Sequence, residues 1–533
     1  MLETVEQDAN ERFVTYFGST FDDKNRRISC NGRLQWKLTD GISKTRRFVR
    51  VSALSPTIQI VPFNNSISTL HRAVVERVFT VKDRNNPEQF ALPPKPEGDT
   101  FSQNMQVFWD DLVCRLPRSA PVSHEQFVGS YTGRKRLRYA RALTELREGW
   151  TSAKKESEIS VFVKYEKTDV TSKRDPVPRV ISPRSPLFNI RVGRYLKHLE
   201  KPLFRSIAKT FGETVILKGM NAYEVAHELR QKWDHFVDPV AVGLDASRFD
   251  QHVSKKALEW EHQVYLKCFP RKKDRINLGE LLRYQLVNRC RGASEDGYLS
   301  YHVEGTRMSG DMNTSMGNCL LMCGMIYSYS VSCGVNLRLA NNGDDCVVFM
   351  ERRDLQQFMD GLDKWFTSMG FTMAVEEPCY VFEQIEFCQT KPINVENGWI
   401  MCRNPRTALA KDTTMLDIFT KKIFLGWLNS VGVGGLRMAG GLPIFNELYA
   451  CYVRSGKRCR VPESLLPWSF TNMCKGMKRG YSSVSPETRA SFWQAFGITP
   501  DEQLAIESEI RKVRIIPVLG DLTFSTLMDG VMN

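Results

Sequence analysis

Two short β-prone runs flank an asparagine–glycine pair near the middle of the chain, and this arrangement restricts the fold more than any other feature. Leu337-Arg338-Leu339-Ala340 and Cys346-Val347-Val348-Phe349-Met350 enclose Asn341-Asn342-Gly343-Asp344-Asp345. An Asn-Gly pair tolerates the positive φ angles of a tight turn, so the pattern predicts a β-hairpin. The turn does not need the two adjacent carboxylates at its tip. A Gly-Asp-Asp triplet is common by chance, and alone it is better explained as a solvated turn than as a site.

A second acidic cluster changes that balance. Val240-Ala241-Val242-Gly243-Leu244 is a short apolar run ending at Asp245, with Asp250 five residues on. If this strand pairs beside the hairpin, Asp245 meets Asp344 at one sheet edge. Apposed carboxylates repel one another, which implies bound cations. Magnesium prefers hard oxygen ligands and takes one or two carboxylates together with substrate phosphates. Between the two clusters lies Gly305-Thr306-Arg307-Met308-Ser309-Gly310-Asp311-Met312-Asn313-Thr314-Ser315-Met316-Gly317-Asn318. Here Ser309 suits a helix N-cap, and Gly310 permits close backbone approach. Thr314 and Asn318 share one helix face at i, i+4 spacing. An ordinary capped helix with polar residues outward would explain the motif, were it not continuous with the apolar run from Cys319 to Met325. Polar residues on a buried helix need partners, and a nucleotide sugar would serve.

Helices are predicted over Lys255 to Phe269, Asp311 to Tyr329, Glu487 to Phe496 and Pro500 to Lys512. Strands interrupted by helices indicate an α+β fold, an antiparallel or mixed sheet backed by helices. Pro- and Gly-rich segments mark joints at Leu92 to Gly98, Arg174 to Pro186, Val431 to Gly435 and Gly440-Gly441.

The chain has 533 residues and a formal charge of +14. Most of the excess falls between Tyr131 and Thr210, where 20 Lys and Arg stand against 8 Asp and Glu. Any few of these residues could form a solvated helix face. The whole stretch reads better as a surface that tracks phosphates. The 14 cysteines are scattered, without a Cys-x-x-Cys pair, which argues for buried thiols over a zinc site. The acidic opening Met1-Leu2-Glu3-Thr4-Val5-Glu6 does not read as a signal peptide, and a reducing, cytosolic setting is expected. The apolar run from Cys319 to Val335 is too broken to span a bilayer and reads as a buried helix.

The order Asp-x4-Asp, Ser-Gly-x3-Thr-x3-Asn, Gly-Asp-Asp resembles motifs A, B and C of viral RNA-dependent RNA polymerases. Asp245-Ala246-Ser247-Arg248-Phe249-Asp250-Gln251-His252, Tyr131-Thr132-Gly133-Arg134-Lys135-Arg136 and Glu386-Phe387-Cys388-Gln389 resemble the plant-virus enzymes of the tombusvirus and luteovirus group. The similarity is concentrated between Val128 and Pro392 and weaker towards both ends. It implies a right-hand polymerase fold. Fingers would include an N-terminal extension and fingertip region (1–127), a part carrying the basic nucleotide-channel motif (128–238) and an insertion (270–300). The palm would take 239–269 and 301–400, and a mostly helical thumb 401–533.

Carried over by position, the resemblance makes Asp245, Asp344 and Asp345 the catalytic ligands of two Mg2+ ions, with Mn2+ as a substitute. Asp250, Ser309 and Asn318 would read the ribose 2′-hydroxyl, with Thr314 supporting that network. Lys164-Tyr165-Glu166-Lys167 and Pro178-Arg179-Val180-Ile181 resemble motif F, so Arg179 and Lys164 would hold the triphosphate, with Lys167 and Lys173 as helpers. The implied partners are a single-stranded RNA template, the nascent RNA, NTPs and a membrane-anchored viral replication protein. The implied setting is host cytoplasm, at membrane-associated replication complexes reached through a partner or an upstream segment. One departure stands out. Relatives commonly carry a motif D lysine, yet none lies between Gly370-Phe371 and Glu376-Glu377. Lys364 and Lys391 are near in sequence, and water is the alternative proton donor.

Two rivals are weighed against this reading. A reverse transcriptase would place a bulky gate where the 2′-hydroxyl must be excluded. A basic RNA-packaging protein would explain the charge but not three ordered motifs. Whether Met1 is the natural start, and whether synthesis needs a primer, stay open.

Overall fold

The computed structural model describes residues 34–515, apart from positions 44, 52–53, 55–57, 84–85, 87–88, 150–151, 173–174, 417–419, 463–464 and 466–473. Towards the N-terminus it also gives the backbone of strands Thr4–Glu6, Arg12–Phe21 and Arg27–Leu38.

The α+β expectation holds. A four-stranded antiparallel sheet has the order Arg338–Asn341, Asp345–Glu351, Pro239–Ala246, Met373–Val375. The first two strands are the expected hairpin. Alternate residues of these strands enter two separate cores. Val240, Val242, Leu244, Val348 and Met350 face one side, against the helices Lys255–Lys267 and Thr314–Cys333. Ala241, Val347 and Phe349 face the other, with the helix Ala222–Trp233 and the C-terminal helices. Burial on both faces explains why the strands read as unbroken apolar runs rather than alternating ones.

Ser254 caps the Lys255–Lys267 helix by accepting from Ala257 N–H at 3.1 Å. The 20-residue Thr314–Cys333 helix is buried around most of its circumference, as its composition requires. Among the described residues no helix is long and apolar enough to cross a membrane, and every described cysteine is a free thiol.

A second, mixed sheet of seven strands holds Arg27–Leu38, Gly297–Glu304, Val287–Ser294, Ile159–Val163 and Val180–Ile181 in that lateral order, with Arg12–Phe21 and Thr4–Glu6 beyond. Its last two strands come from the basic stretch. The C-terminal part is mostly helical, with Lys421–Ala439, Phe445–Ser455, Pro486–Phe496 and Pro500–Lys512.

One expected joint is corrected. Val431 to Gly435 lies inside the Lys421–Ala439 helix. A Cβ on Gly432 would meet Val453 at 2.8 Å, and one on Gly435 would meet Tyr449 at 2.2 Å. These glycines let two helices approach closely rather than break the chain.

Candidate active site

The strand register brings the acidic motifs together. Asp245 pairs directly with Asp345 across the antiparallel ladder, and Ala246 N–H donates to Asp344 O at 3.4 Å. Gly343 takes φ +105°, and Asn341 braces the turn by accepting from Gly343 N–H and donating to Gly343 O. A cavity at this sheet edge is lined by Asp245, Asp344 and Asp345, and also by Glu376, Glu386, Cys388 and Gln389. Burial and the neighbouring Asp245 carboxylate push Asp345 up to about 7, although Cys388 N–H donates to it at 2.9 Å. Burial, Glu386 and Asp245 likewise raise Glu376.

Carboxylate oxygens gathered at one sheet edge suit a hard divalent cation, and burial makes the charged forms of Asp345 and Glu376 costly. Among the described residues no three metal-binding side chains close on a single point as a finished cage.

A second cavity adjoins the first, with Arg179 and Asp344 lining both. Its other walls include Asp250, Ser309, Arg77 and Arg248. Asp250 Oδ1 accepts from Asn318 Nδ2 at 2.9 Å. Burial pushes Asp250 up to about 6, opposed by Asn318 and Arg307. Asn318 Oδ1 in turn accepts from Arg307 Nε at 3.0 Å. Asp245, Asp344, Asp345, Asp250, Ser309, Asn318 and Arg179 are thus gathered at two joined cavities or in hydrogen-bond contact with their walls.

Several expected roles are altered, and some expected residues lie elsewhere. Ser309 does not cap the helix, which starts at Thr314 with Asn313 at the cap position. The buried Arg184–Asp311 ion pair holds the preceding turn, and Ser309 Oγ accepts from Ser182 N–H at 3.1 Å. Gly310 does permit close approach, since a Cβ there would meet Pro183 Cα at 2.5 Å. Thr314 Oγ1 turns back to Met308 O and Asp311 O. Lys164 pairs with Glu166 at 2.9 Å, and Arg179 reaches the same carboxylate at 3.4 Å. Lys167 is not at either cavity; its ammonium donates to Lys411 O. Lys173 lies outside the described residues. Neither Lys364 nor Lys391 lines either of these two cavities, and Lys391 Nζ donates to Ala495 O. No lysine lines either cavity, so their cationic walls are arginine.

With this geometry in view, comparison with known proteins is decisive. The family model for viral RNA-dependent RNA polymerase matches residues 34–517. The chain belongs to that family. It is 49% identical over 498 residues to the RNA-directed RNA polymerase of Oat chlorotic stunt virus (isolate United Kingdom), covering 91% of this chain and 66% of that protein. It is 42% identical over 498 residues to the enzyme of the same name from Tobacco necrosis virus (strain A), covering 92% and 67%. For that of Tomato bushy stunt virus (strain Cherry) the identity is 40% over 479 residues, covering 88% and 56%. The chain spans about half to two thirds of the length of the curated relatives it matches. The family match extends well beyond the stretch from Val128 to Pro392 on which the motif resemblance rested.

In this polymerase-family chain, sequence reasoning assigned no role to Arg77, Arg248, Glu376 or Glu386, all of which line the cavities. Glu376 and Glu386 flank a recognisable motif and could have been found from it. Arg77 lies far upstream, and only the fold brings it to the site.

Proposed function

We propose that the chain is an RNA-directed RNA polymerase that copies a positive-strand plant-virus RNA by nucleotidyl transfer from NTPs to an RNA 3′ end. The observation that carries this reading is the register that places Asp245 opposite Asp345, beside a cavity that joins these carboxylates to Asp250 and Arg179. In this reading the four-stranded sheet and its helices form the palm (239–269 and 301–400). Residues 1–238 with 270–300 form the fingers, and 401–533 the thumb.

Asp245, Asp344 and Asp345 would hold the divalent cations, magnesium or manganese. When bound, two such ions supply charge neutralisation for the attacking and leaving oxygens of an in-line displacement. The chain's own residues supply position. Arg179 offers a planar fork to the triphosphate, and Lys164 stands beside it through their shared partner Glu166. Asn318 fixes Asp250 through Oδ1, leaving Oδ2 to accept from the ribose 2′-hydroxyl. A site built to bond a hydroxyl rejects the sugar that lacks it, which favours RNA synthesis over the reverse-transcriptase alternative. The arginines of the walls stay protonated, so water or Lys218, whose Nζ lies 3.9 Å from where a Cβ on Gly343 would stand, would give the proton to the leaving pyrophosphate. Single-stranded RNA and NTPs are the ligands. A membrane-anchored replication protein as partner is proposed on the resemblance alone.

The test is radiolabelled NTP incorporation on an RNA template by the purified chain with magnesium, without primer and with one. Synthesis from NTPs but not dNTPs is expected. RNA binding without incorporation would favour a packaging role.

A further inference from the structure

The walls of the second cavity carry four guanidinium groups, Arg77, Arg179, Arg248 and Arg307, together with the carboxylates of Asp250 and Asp344. Two of them, Arg77 and Arg248, have no role in the reading above. Their arrangement begins with local backbone. The helix Ile67–Val74 widens into a π-helical turn, Val75–Phe79, closed by Thr80, whose N–H and hydroxyl both donate to Val75 O at 2.9 Å. Turns of this kind concentrate at functional sites.

Arg248 meets this turn from the opposite side, in the short loop that separates Asp245 from Asp250. Its φ of +51° is unfavourable for a large side chain. The conformation is held by its contacts, since Arg248 Nη1 donates to Glu76 O and to Thr80 O, the latter at 3.1 Å. Gln251 Nε2 adds a bond to the same Thr80 O at 2.9 Å. The loop between the two acidic residues therefore grips the segment that carries Arg77.

Arg77 itself donates from Nε to Pro178 O at 3.3 Å and from Nη2 to Val177 O at 3.0 Å. These bonds also tie down the approach to Arg179. Nη1 has no hydrogen-bond partner among the described residues, and the side chain lines the cavity. Burial, with Arg248 and Arg179 nearby, pushes Arg77 down to about 10. Of the four guanidinium groups, Arg307 pairs with Glu261 and Arg179 with Glu166, whereas Arg77 and Arg248 form no ion pair among the described residues. Gathering like charges around a cavity is costly unless a polyanion occupies it.

We propose that Arg77 binds the triphosphate of the incoming nucleotide and that Arg248 is a positioning residue that acts through Arg77. This rests on the polymerase reading for the identity of the nucleotide, but the phosphate site itself can be tested without turnover.

The experiment titrates the full chain with ATP and with AMP, each with magnesium, by calorimetry. NTP KM in elongation is measured in parallel. Arg77→Ala is expected to weaken ATP binding about 10- to 100-fold, the loss of a charge-assisted contact, and to change AMP binding less than about twofold. Arg77→Lys keeps the charge without the fork and should recover part of the ATP affinity, a rescue that a purely structural role would not show. Arg248→Ala should also weaken ATP selectively. The double variant should be little worse than Arg77→Ala alone, because the two effects are coupled.

Equal losses for ATP and AMP, or unchanged ATP affinity in Arg77→Ala, would overturn the proposal. So would a parent chain that binds ATP no better than AMP. Selective ATP loss in a chain that incorporates no NTP would sustain the phosphate site while rejecting the polymerase reading. If Arg77→Ala fails to fold, undiminished ATP affinity in a folded Arg248→Ala chain would overturn the proposal, and selective loss would support it.

Discussion

Two groups of ionisable side chains lie on either side of Asn318, and they are built in opposite ways. On one side, Glu261 and Arg307 are fully buried and paired, and the carboxylate also accepts from Tyr265 and Asn313. Burial alone would push the Glu261 carboxyl up, but Arg307 more than offsets this and holds it below its ordinary value. On the other side, Asp344, Asp345, Glu376 and Glu386 line one cavity, and none of them forms an ion pair among the described residues. The first group is complete within the protein. In the proposed reading the second is completed by bound cations, with Arg179 on the same cavity wall. Burial alone does not mark a functional carboxylate; incomplete local compensation does.

The sharpest way to break this contrast is to remove one member of each group. Asp344→Ala should reduce NTP incorporation by on the order of 10³-fold or more, as expected when metal-assisted charge stabilisation is lost. Its thermal midpoint should not fall, because the change relieves repulsion. Incorporation and denaturation measured on one preparation would decide this, and normal elongation would end the assignment. Glu261→Gln should do the reverse. It leaves Arg307 buried without its counter-charge and should cost about 3–5 kcal/mol of stability in denaturant unfolding. Because the folded Glu261 titrates below its ordinary 4.5, the parent chain should lose this stabilisation only as pH falls from about 4.5 through the lower folded value. The variant should lack that acid-dependent component.

Asp250 lies between the two groups, bonded to Asn318 and facing the cavity, and its expected effects are smaller. Asp250→Asn should reduce discrimination between NTP and dNTP by about tenfold, the scale of one hydrogen bond. Its burial also gives a pH signature. The folded group titrates near 6 against an ordinary 3.8, so its charged form destabilises the fold above about 6 and this cost disappears below 3.8. The asparagine variant should therefore unfold at a higher temperature than the parent at pH 8, with the difference vanishing near pH 3.5. A difference that persists at low pH would contradict the assignment.

The same contrast separates what the sequence could reveal from what it could not. The hairpin, the Asp245 strand and the Asn318 helix were legible because strand and helix periodicities lie within single segments. Once the strands pair, register alone sets Asp245 opposite Asp345. The glycines at 432 and 435 were misleading, because a residue that breaks one helix also allows two helices to pack closely. The Glu261–Arg307 pair was invisible, since its partners are 46 residues apart and no local pattern joins them. Arg77 was hidden for the same reason: its partners are the carbonyls of Val177 and Pro178, a hundred residues away.

Lys167 provides the smallest effect and the finest test of the contrast. Sequence position makes it a helper for the triphosphate, but its ammonium is enclosed near Lys411, Asp412 and Arg403 and donates to Lys411 O. It is held by a backbone carbonyl away from both cavities. Lys167→Met should therefore leave NTP KM within about twofold, a change no larger than the loss of a weak long-range charge effect. Arg179→Ala should raise KM clearly in the same assay. Burial, more than its neighbours, pushes Lys167 down to about 8 from 10.5. Its charge thus costs stability fully below about pH 8, and the cost vanishes above 10.5. Relative to the parent, the methionine variant should be more stable at pH 7 than at pH 10.5. A KM increase matching that of Arg179→Ala would place Lys167 at the nucleotide after all.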